Sequence, residues 1–349
     1  MKSQRLLSGY LKSHWYIYAA AILLISAANI IQSFYPRVLG DFTDELQRGV
    51  ITKEAVIDYS LMLLGIGIAF GVLGGSGQYG IMRMGRRFEF LTRRKLFAHF
   101  TTLSERYYSK HGVGQLLSYV MNDVQAVRES ISMGINQTTN AVILIISVIV
   151  MMSISSIPLS LILICVLPML AIPFIVVYLG PKIRDRSKNV QEALAKMTES
   201  AEEQFGGIRV TKKFAVEHVM RGRFGQTVDR IVERQMRLVR MSSLFQAILP
   251  FLGGMSLIIA IAYGGFLTIK QTITLGDFVS LTLYLRMIVM PLAQIGNVIN
   301  AMQRARASLE RLGNLLSVRP DIVEKEDAKP LDVRSAGIEI RGLSFSYPD

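Results

Sequence analysis

Long uncharged apolar stretches dominate the chain up to residue 300. A transmembrane helix needs about 20 predominantly apolar residues, and segments 15–36, 59–82 and 241–269 reach that length without Asp, Glu, Lys or Arg. Segment 130–181 is also uncharged, and its length predicts two helices that fold back before Pro158. A last stretch, 278–300, is interrupted by Arg286. The pattern predicts six spans, at about 16–38, 58–81, 134–153, 157–179, 244–269 and 278–300.

The basic residues, which give a net charge of +13, are distributed unevenly. Segment 82–133 carries nine Lys or Arg against four acidic residues, and segment 180–243 carries 14 against eight. Segment 40–58, by contrast, carries two basic and five acidic residues. Because basic loops stay in the cytoplasm, both termini and the two long connections are predicted to be cytoplasmic. This distribution favours a lipid bilayer, and not nucleic acid, as the partner of the positive charge.

Both long connections have helical periodicity. Apolar residues recur at helical spacing after the second span and after the fourth, so both helices are predicted to continue beyond the membrane. About 20 further residues would carry each helix roughly 30 Å into the cytoplasm. Glycines, which suit tight reversals, follow in each connection: Gly112, Gly114, Gly206 and Gly207. Two interpretations remain open, a simple helical hairpin or a short docking helix held at each tip.

The first 14 residues have an amphipathic pattern. Leu6, Leu7, Tyr10 and Leu11 alternate with basic residues such as Lys12. This pattern predicts a helix in the inner headgroup layer, where basic side chains meet anionic lipid. A disordered terminus is the alternative.

Polar residues within the spans are candidates for a transport path. Arg286 is the leading one, because a charge inside a span is usually functional. Thr282, Asn297 and Asn300 share its helical face. The alternative is that Arg286 lies near the outer interface and snorkels to the headgroups. Further candidates are Asn29, Gln32, Asn136, Gln137 and Asn140, whose amides could instead bond between packed helices.

The first inner connection resembles that of the ATP-binding cassette (ABC) exporters. Tyr107-Tyr108 precedes Gly114, and Asn122-Asp123 follows, as in the first intracellular loop of that family. The resemblance implies coupling roles for Tyr108, Gly114, Asn122 and Asp123. Gln115 replaces the usual acidic residue and Tyr119 stands where arginine is common.

The second inner connection resembles the same family through segment 207–217, which contains Phe214 and Glu217. In such exporters this segment forms the second coupling helix, which docks on the nucleotide-binding domain of the opposite subunit. The resemblance therefore implies coupling roles for Phe214 and Glu217. Segment 303–312 is similar to the family's usual helical exit from the sixth span.

The last 12 residues, 338–349, resemble the first strand of the family's nucleotide-binding domain. The resemblance implies that Tyr347 stacks on adenine in a full-length protein. The chain has no Gly-x-x-x-x-Gly-Lys-Ser/Thr loop to hold phosphates, and it lacks the family's signature and Asp-Glu motifs. ATP and Mg²⁺ are therefore expected as cofactors of an ATP-hydrolysing full-length protein only. No catalytic residue and no metal site are expected in this chain.

The resemblance implies an all-α membrane protein with the six transmembrane helices of a type I exporter (type IV fold). An amphipathic elbow helix would cover residues 1–14 and the transmembrane domain residues 15–317, with intracellular loops at 82–133 and 180–243. A linker, 318–337, would lead to a short β-strand of a truncated nucleotide-binding domain at 338–349.

The function that the resemblance implies is ATP-driven export of hydrophobic or amphipathic substrates, drugs or lipids, by alternating access. The expected partners are the nucleotide-binding domains of its own chain and of the opposite subunit. A second half-transporter would complete a homodimer or heterodimer in a bacterial inner membrane. A six-span channel, a secondary transporter and a non-transporting membrane scaffold for a cytosolic partner are the alternatives.

Overall fold

The described part of the computed structural model is almost entirely helical up to Leu315. It covers residues 2–49, 51–321, 327, 337 and 339–344, with side chains from residue 7 onward. Its twelve α-helices are α1 (Lys2–Ser13), α2 (Trp15–Ser33), α3 (Tyr35–Gln47), α4 (Lys53–Phe100), α5 (Glu105–His111), α6 (Val113–Ser118), α7 (Val124–Ile154), α8 (Leu159–Gly206), α9 (Ile208–Lys213), α10 (Glu217–Ile259), α11 (Gly265–Ile269) and α12 (Leu275–Leu315). Two π-helical turns, Tyr119–Asp123 and Ala260–Gly264, lead into α7 and α11.

Six helical segments within the described residues are long and apolar enough to cross a membrane, which matches the predicted number. They are formed by α2 with α3, by α4, by α7 with the short pieces before it, by α8, by α10 with α11, and by α12. Short connections separate them on the side predicted to be outside. There Pro158 precedes α8, and Thr274 starts α12 with a capping box to Asp277.

The helices continue far past the apolar runs on the other side. α4 reaches Phe100 and α8 reaches Gly206, 19 and 27 residues beyond the predicted ends of their spans at 81 and 179. Those lengths correspond to roughly 28 Å and 40 Å of helix. Each extension then reverses through the short helices α5 and α6, or α9. The predicted helical extensions are therefore present as continuous helices.

Two large apolar cores hold the described helices together, one in each half of the molecule, and a smaller cluster of Ala21, Ile25 and Ile81 joins α2 to α4. The outer core joins α7, α8, α12 and the end of α10, with Val148, Leu161, Met169, Tyr284 and Leu285 among its fully buried members. The inner core joins α1, α4, α6, α7 and α12, with Phe88, Leu96, Val124, Val127 and Leu312 buried.

The inner halves of α8 and α10 belong to neither core and pair with each other. Arg186 donates from Nη1 to the carbonyl oxygen of Arg237 at 2.8 Å. Arg234 donates from Nη1 to the carbonyl oxygen of Asn189 at 2.9 Å. The inner half of the molecule therefore consists of two arms. One is built on α4, α7 and α12, and the other is the α8–α10 hairpin.

Close helix crossings occur where glycine removes a side chain. A Cβ on Gly276 of α12 would lie 2.2 Å from the carbonyl oxygen of Gly40 in α3. A Cβ on Gly77 of α4 would lie 2.7 Å from Cγ1 of Ile25 in α2. Small residues allow membrane helices to approach in this way.

The predicted terminal strand is not present in the described residues. Its described part, 339–344, forms neither helix nor strand. A strand is stabilised by pairing with a neighbour, and the described part of the chain contains no strand that could pair with it. Tyr347 lies outside the described residues, so its predicted adenine contact has no structural counterpart here.

Candidate coupling sites and transport path

The tip of the first inner hairpin is fixed to the end of α4. The hydroxyl of Tyr108 donates to the carbonyl oxygen of Phe100 at 2.8 Å, and its ring packs on the inner core. Tyr107 stacks on His111 with ring centroids 4.2 Å apart, and burial raises the pKa of Tyr107. Gly114 has open space where a Cβ would lie. Tyr108 therefore positions this tip, while Gly114 lies at its surface.

Asp123 joins the first hairpin to α12. It is 7% exposed and accepts a hydrogen bond from Ser308 Oγ at 2.9 Å and one from Arg311 Nε at 3.0 Å. The hydrogen bond to Asp123 raises the pKa of Arg311. The neighbouring Asn122 is exposed and donates only within the tip, to Ser118 Oγ at 3.2 Å. Of the two adjacent residues, Asp123 is the one that ties the tip to the end of the last span.

A second contact between α4 and α12 lies close to the Asp123 pair. Nε2 of His99 lies 3.0 Å from the carbonyl oxygen of Leu315, in the last turn of α12. Arg93 Nε donates to the carbonyl oxygen of Val120 at 3.2 Å, which holds α4 against the π-helical turn. The end of α12 is thus bonded to α4 through His99 and to the π-helical turn through Asp123.

Glu89 is the centre of a buried ion cluster that the sequence patterns did not predict. It is 6% exposed in α4 and lies 2.7 Å from Arg93, 3.2 Å from Arg86 and 3.1 Å from Arg128 of α7. Arg86 and Arg93 are three and four residues away on the same helix, a spacing that brings side chains together. The sequence spacing alone could therefore have predicted the contacts of Glu89 with Arg86 and Arg93, but not the contact with Arg128.

The tip of the second inner hairpin presents apolar side chains to solvent. Phe214 is 72% exposed and Val210 is 59% exposed, although both are apolar. Glu217, at the first position of α10, accepts a hydrogen bond from Lys212 Nζ at 2.9 Å. That hydrogen bond lowers the pKa of Glu217 below its usual 4.5. The pair therefore persists at neutral pH and is lost only as the pH falls through the lowered pKa.

The predicted path residues on α12 separate into two groups. Arg286 and Asn297 are exposed, and the hydroxyl of Thr282 donates within its own helix to the carbonyl oxygen of Val279 at 2.7 Å. Asn300 lines a groove of about 530 Å³ between α8 and α12, together with Arg184 and others. Asn300 is thus the predicted path residue that lies in a cavity.

The groove between α8 and α12 begins below a close contact. A Cβ on Gly296 would lie 2.1 Å from Cγ1 of Val176 in α8. One to two turns further in, Arg184 Nη1 lies 3.4 Å from Gln303 Oε1 across the groove. The lining mixes apolar side chains with charged ones, as an amphipathic ligand requires.

The predicted path residues in α2 have different surroundings. Asn29 is 2% exposed, and its Nδ2 donates to Asn140 Oδ1 of α7 and to the carbonyl oxygen of Ile25, both at 2.8 Å. Asn140 in turn donates to Oδ1 of Asn136 at 2.6 Å. Gln32 is half-buried. Asn29 therefore makes an amide bridge between packed helices. Across the described residues, no three His, Cys, Asp or Glu side chains lie close enough to hold a metal ion.

Comparison with known proteins identifies a family. The model of the ABC transporter transmembrane region matches residues 17–292. The chain is 30% identical over 344 residues to a probable multidrug resistance ABC transporter ATP-binding/permease protein of Bacillus subtilis, covering 98% of this chain and 58% of that protein. It is 27% identical over 289 residues to an ATP-dependent lipid A-core flippase of Syntrophus aciditrophicus, covering 82% and 48%. A multidrug resistance-like ATP-binding protein of Escherichia coli is 22% identical over 98% of this chain and 58% of its own length.

The chain spans about half to three fifths of the length of these curated relatives. The matched family region contains five of the predicted spans and most of the sixth.

Proposed function

Because this chain belongs to the ABC transporter transmembrane family and forms an exporter-type integral membrane domain, we propose that it is the translocation pathway of an ATP-driven exporter. The proposed cargo is hydrophobic or amphipathic, a drug or a lipid. The observation that carries the proposal is the pair of long helical hairpins, continuous with the spans, whose tips lie far from the apolar runs.

The second hairpin is the proposed contact through which a nucleotide-binding domain would move the transmembrane helices. Phe214 and Val210 are exposed at its tip, and exposed apolar groups of this kind mark contact surfaces. The Lys212–Glu217 pair fixes the turn between α9 and α10. A nucleotide-binding domain that moves under α9 would pull on the α8–α10 arm as one lever.

The first hairpin is the proposed link to the exit helix. Its tip would rest on a nucleotide-binding domain through the exposed face that carries Gly114 and Asn122. The Asp123–Arg311 pair then transmits the same displacement to the end of α12. Tyr108 maintains the angle of the tip relative to α4.

Alternating access is the proposed mechanism. The helices that continue into the two arms pack together in the outer half through the outer core, and in the inner half the two arms lie on either side of the groove that contains Asn300. Closing the arms would seal this groove from inside. Arg184 and Gln303 at its mouth and the apolar wall around Val176 would accept the polar and apolar parts of a cargo. Arg286 and Asn297 would line the path further out.

The remaining parts of the machine are proposed for a full-length protein. ATP and Mg²⁺ would bind in a nucleotide-binding domain beyond the described residues, and no described residue supplies a phosphate-binding loop. A second half-transporter, identical or different, would cover the exposed apolar faces of α4 and α10. The proposed location is a bacterial inner membrane, in keeping with the bacterial relatives, and the basic inner connections support cytoplasmic termini.

The test is dye efflux and ATP hydrolysis by the full-length protein in proteoliposomes. We expect Phe214→Ser to reduce efflux at least about tenfold, the equivalent of losing one buried aromatic contact of ~1.4 kcal/mol. ATP hydrolysis should continue, because Phe214 contacts no nucleotide. Phe214→Leu is the matched control and should retain most efflux, since it keeps an apolar side chain.

Two results would contradict the proposal. Wild-type efflux in Phe214→Ser would show that the tip does not couple the domains. Binding of a cytosolic protein without any ATP-dependent efflux from the wild-type protein would instead support the scaffold alternative.

A further inference from the structure

A groove in the inner half of the molecule is used by none of the sites described above. It lies between α1, α7 and α12, and its volume of about 900 Å³ is typical of a small-molecule site. Leu7 and Leu11 of α1 form one wall. Ile131 and Ile135 of α7 form the second, and Leu309 of α12 belongs to the third. A flexible apolar chain would be shielded from water here.

Two opposite charges of α12 line the same groove. Arg306 and Glu310 are both exposed and lie one helical turn apart. Among the ion pairs of the described residues, Arg306 and Glu310 do not pair with each other. The groove therefore carries one exposed cation and one exposed anion above an apolar floor.

The order of these charges along α12 matches the order of the charges in a phospholipid headgroup. Arg306 lies six residues, roughly 9 Å, beyond the predicted inner end of the sixth span at residue 300. The headgroup layer extends about 5–7 Å beyond the hydrocarbon on each side, so the backbone of Arg306 lies just past this layer, and its long side chain reaches the layer because helical side chains lean towards the N-terminus, which is here the membrane side. Glu310 lies roughly 6 Å further towards the cytoplasm. In a zwitterionic phospholipid the phosphate is closer to the hydrocarbon and the ammonium extends further out, which is the same order.

We propose that this groove binds one molecule of phosphatidylethanolamine from the inner leaflet. Arg306 donates to the lipid phosphate, and Glu310 accepts hydrogen bonds from the primary ammonium. One acyl chain lies along Ile131 and Ile135. A phosphatidylglycerol molecule could satisfy Arg306 but would bring no cation to Glu310. The site lies on the α1 side of α12, away from the transport groove at Asn300.

Native mass spectrometry of the full-length protein, without nucleotide or cargo, tests the proposal. The probes are palmitoyl-oleoyl phosphatidylethanolamine and phosphatidylglycerol with identical chains. We expect tighter binding of phosphatidylethanolamine, and a loss of about tenfold in its affinity on Arg306→Gln, as for one hydrogen bond to a charged group. Glu310→Gln should abolish the preference for phosphatidylethanolamine over phosphatidylglycerol.

Two controls separate oriented recognition from general attraction to charge. Arg304→Gln removes an exposed arginine of α12 that does not line the groove, and it should leave both affinities unchanged. The double variant Arg306→Glu with Glu310→Arg keeps the net charge but reverses its order, and it should lose the phosphatidylethanolamine preference.

The proposal would be overturned by a wild-type preference for phosphatidylglycerol, by full binding in the reversed variant, or by an equal loss in Arg304→Gln. None of these readouts depends on transport. A failure here would therefore leave the proposed export function unaffected, and the reverse also holds.

Discussion

At the scale of single residues, Asp123 is the most informative side chain of the first hairpin. Its carboxylate is buried and accepts from both Ser308 and Arg311. We expect Asp123→Asn to lower the free energy of unfolding by about 1–2 kcal/mol, because a hydrogen bond to a charged group is lost while Arg311 is half-exposed and partly recovers water. This change in the free energy of unfolding is measured by titrating the detergent-solubilised protein with sodium dodecyl sulfate.

A double-mutant cycle with Arg311→Gln isolates the Asp123 pair. We expect a coupling free energy of about 1 kcal/mol between the two substitutions. Asn122→Ala, at the exposed neighbouring position, is the matched control and should change stability by less than about 0.5 kcal/mol. Strict additivity of Asp123→Asn and Arg311→Gln would refute the proposed link.

Glu89 should matter more to stability than Asp123. Glu89→Ala leaves Arg128, whose side chain is 12% exposed, without its buried partner. Removing one member of a buried pair costs about 3–5 kcal/mol, and because Arg128 keeps its contact with Glu129, we expect a loss at the lower end of that range. Glu129→Ala removes a 41% exposed partner of the same arginine and should cost no more than about 1 kcal/mol. The same unfolding assay measures both variants. Equal losses in the free energy of unfolding would mean that water solvates Arg128 after either substitution.

The sequence could identify residues that belong to a local motif, but it could not identify bonding partners that lie far away along the chain. Asp123 was recognised by its motif, but Ser308 and Arg311 are 185 and 188 residues away, and no local pattern encodes such a distance. Asn29 was predicted as a path residue with interhelical bonding as the alternative, and its amide does bond to Asn140.

At the scale of whole helices, prediction succeeded because hydrocarbon imposes a simple rule. A span must be long and predominantly apolar, so the number of spans could be predicted from the apolar runs, and the helical extensions from apolar residues at helical spacing. Packing between helices could not. The crossing of α3 and α12 depends on Gly40 and Gly276 being opposite each other, which no spacing within either helix reveals. The predicted terminal strand is not formed in its described part, residues 339–344, since a strand needs a partner strand and the described residues contain none.

The α3–α12 crossing makes a direct prediction. Gly276→Ala would place a Cβ 2.2 Å from the Gly40 carbonyl oxygen, and a backbone atom cannot rotate away as a side chain can. We expect a loss of about 1–3 kcal/mol in the free energy of unfolding, as for other overpacked sites. The measurement is the same detergent titration.

Gly265→Ala is the matched control for this crossing. Gly265 lies on α11, and apart from its two chain neighbours and the adjoining backbone of its own helix, no atom of the described residues lies within 4 Å of the position that its Cβ would take. Alanine is the better helix former by up to about 1 kcal/mol, so this variant should be as stable as the parent or more so. A stable Gly276→Ala protein would show that α3 can move away from α12 at little cost.

At the scale of the whole molecule, the helices of the two arms come closest at Gly296 and Val176, and further in they line a groove that the Arg184–Gln303 contact bridges. If transport requires the inner ends of α8 and α12 to change their separation, fixing that separation should stop it. Arg184 and Gln303 lie opposite each other across the groove, with Nη1 and Oε1 3.4 Å apart. Arg184→Cys combined with Gln303→Cys therefore places two reactive groups on the moving surfaces.

We expect a short bis-methanethiosulfonate reagent, which joins the two thiols through disulfide bonds, to abolish efflux by the full-length Arg184→Cys/Gln303→Cys protein, and dithiothreitol to restore efflux by reducing those bonds. Each single-cysteine variant, treated identically, should retain efflux. The native Cys165 is fully buried and should not react. Because the crosslink lies far from both hairpin tips, ATP binding should persist, which separates a locked pathway from an unfolded protein. Undiminished efflux after complete crosslinking would mean that the groove between α8 and α12 does not change width during transport, and that the arms move instead as one body.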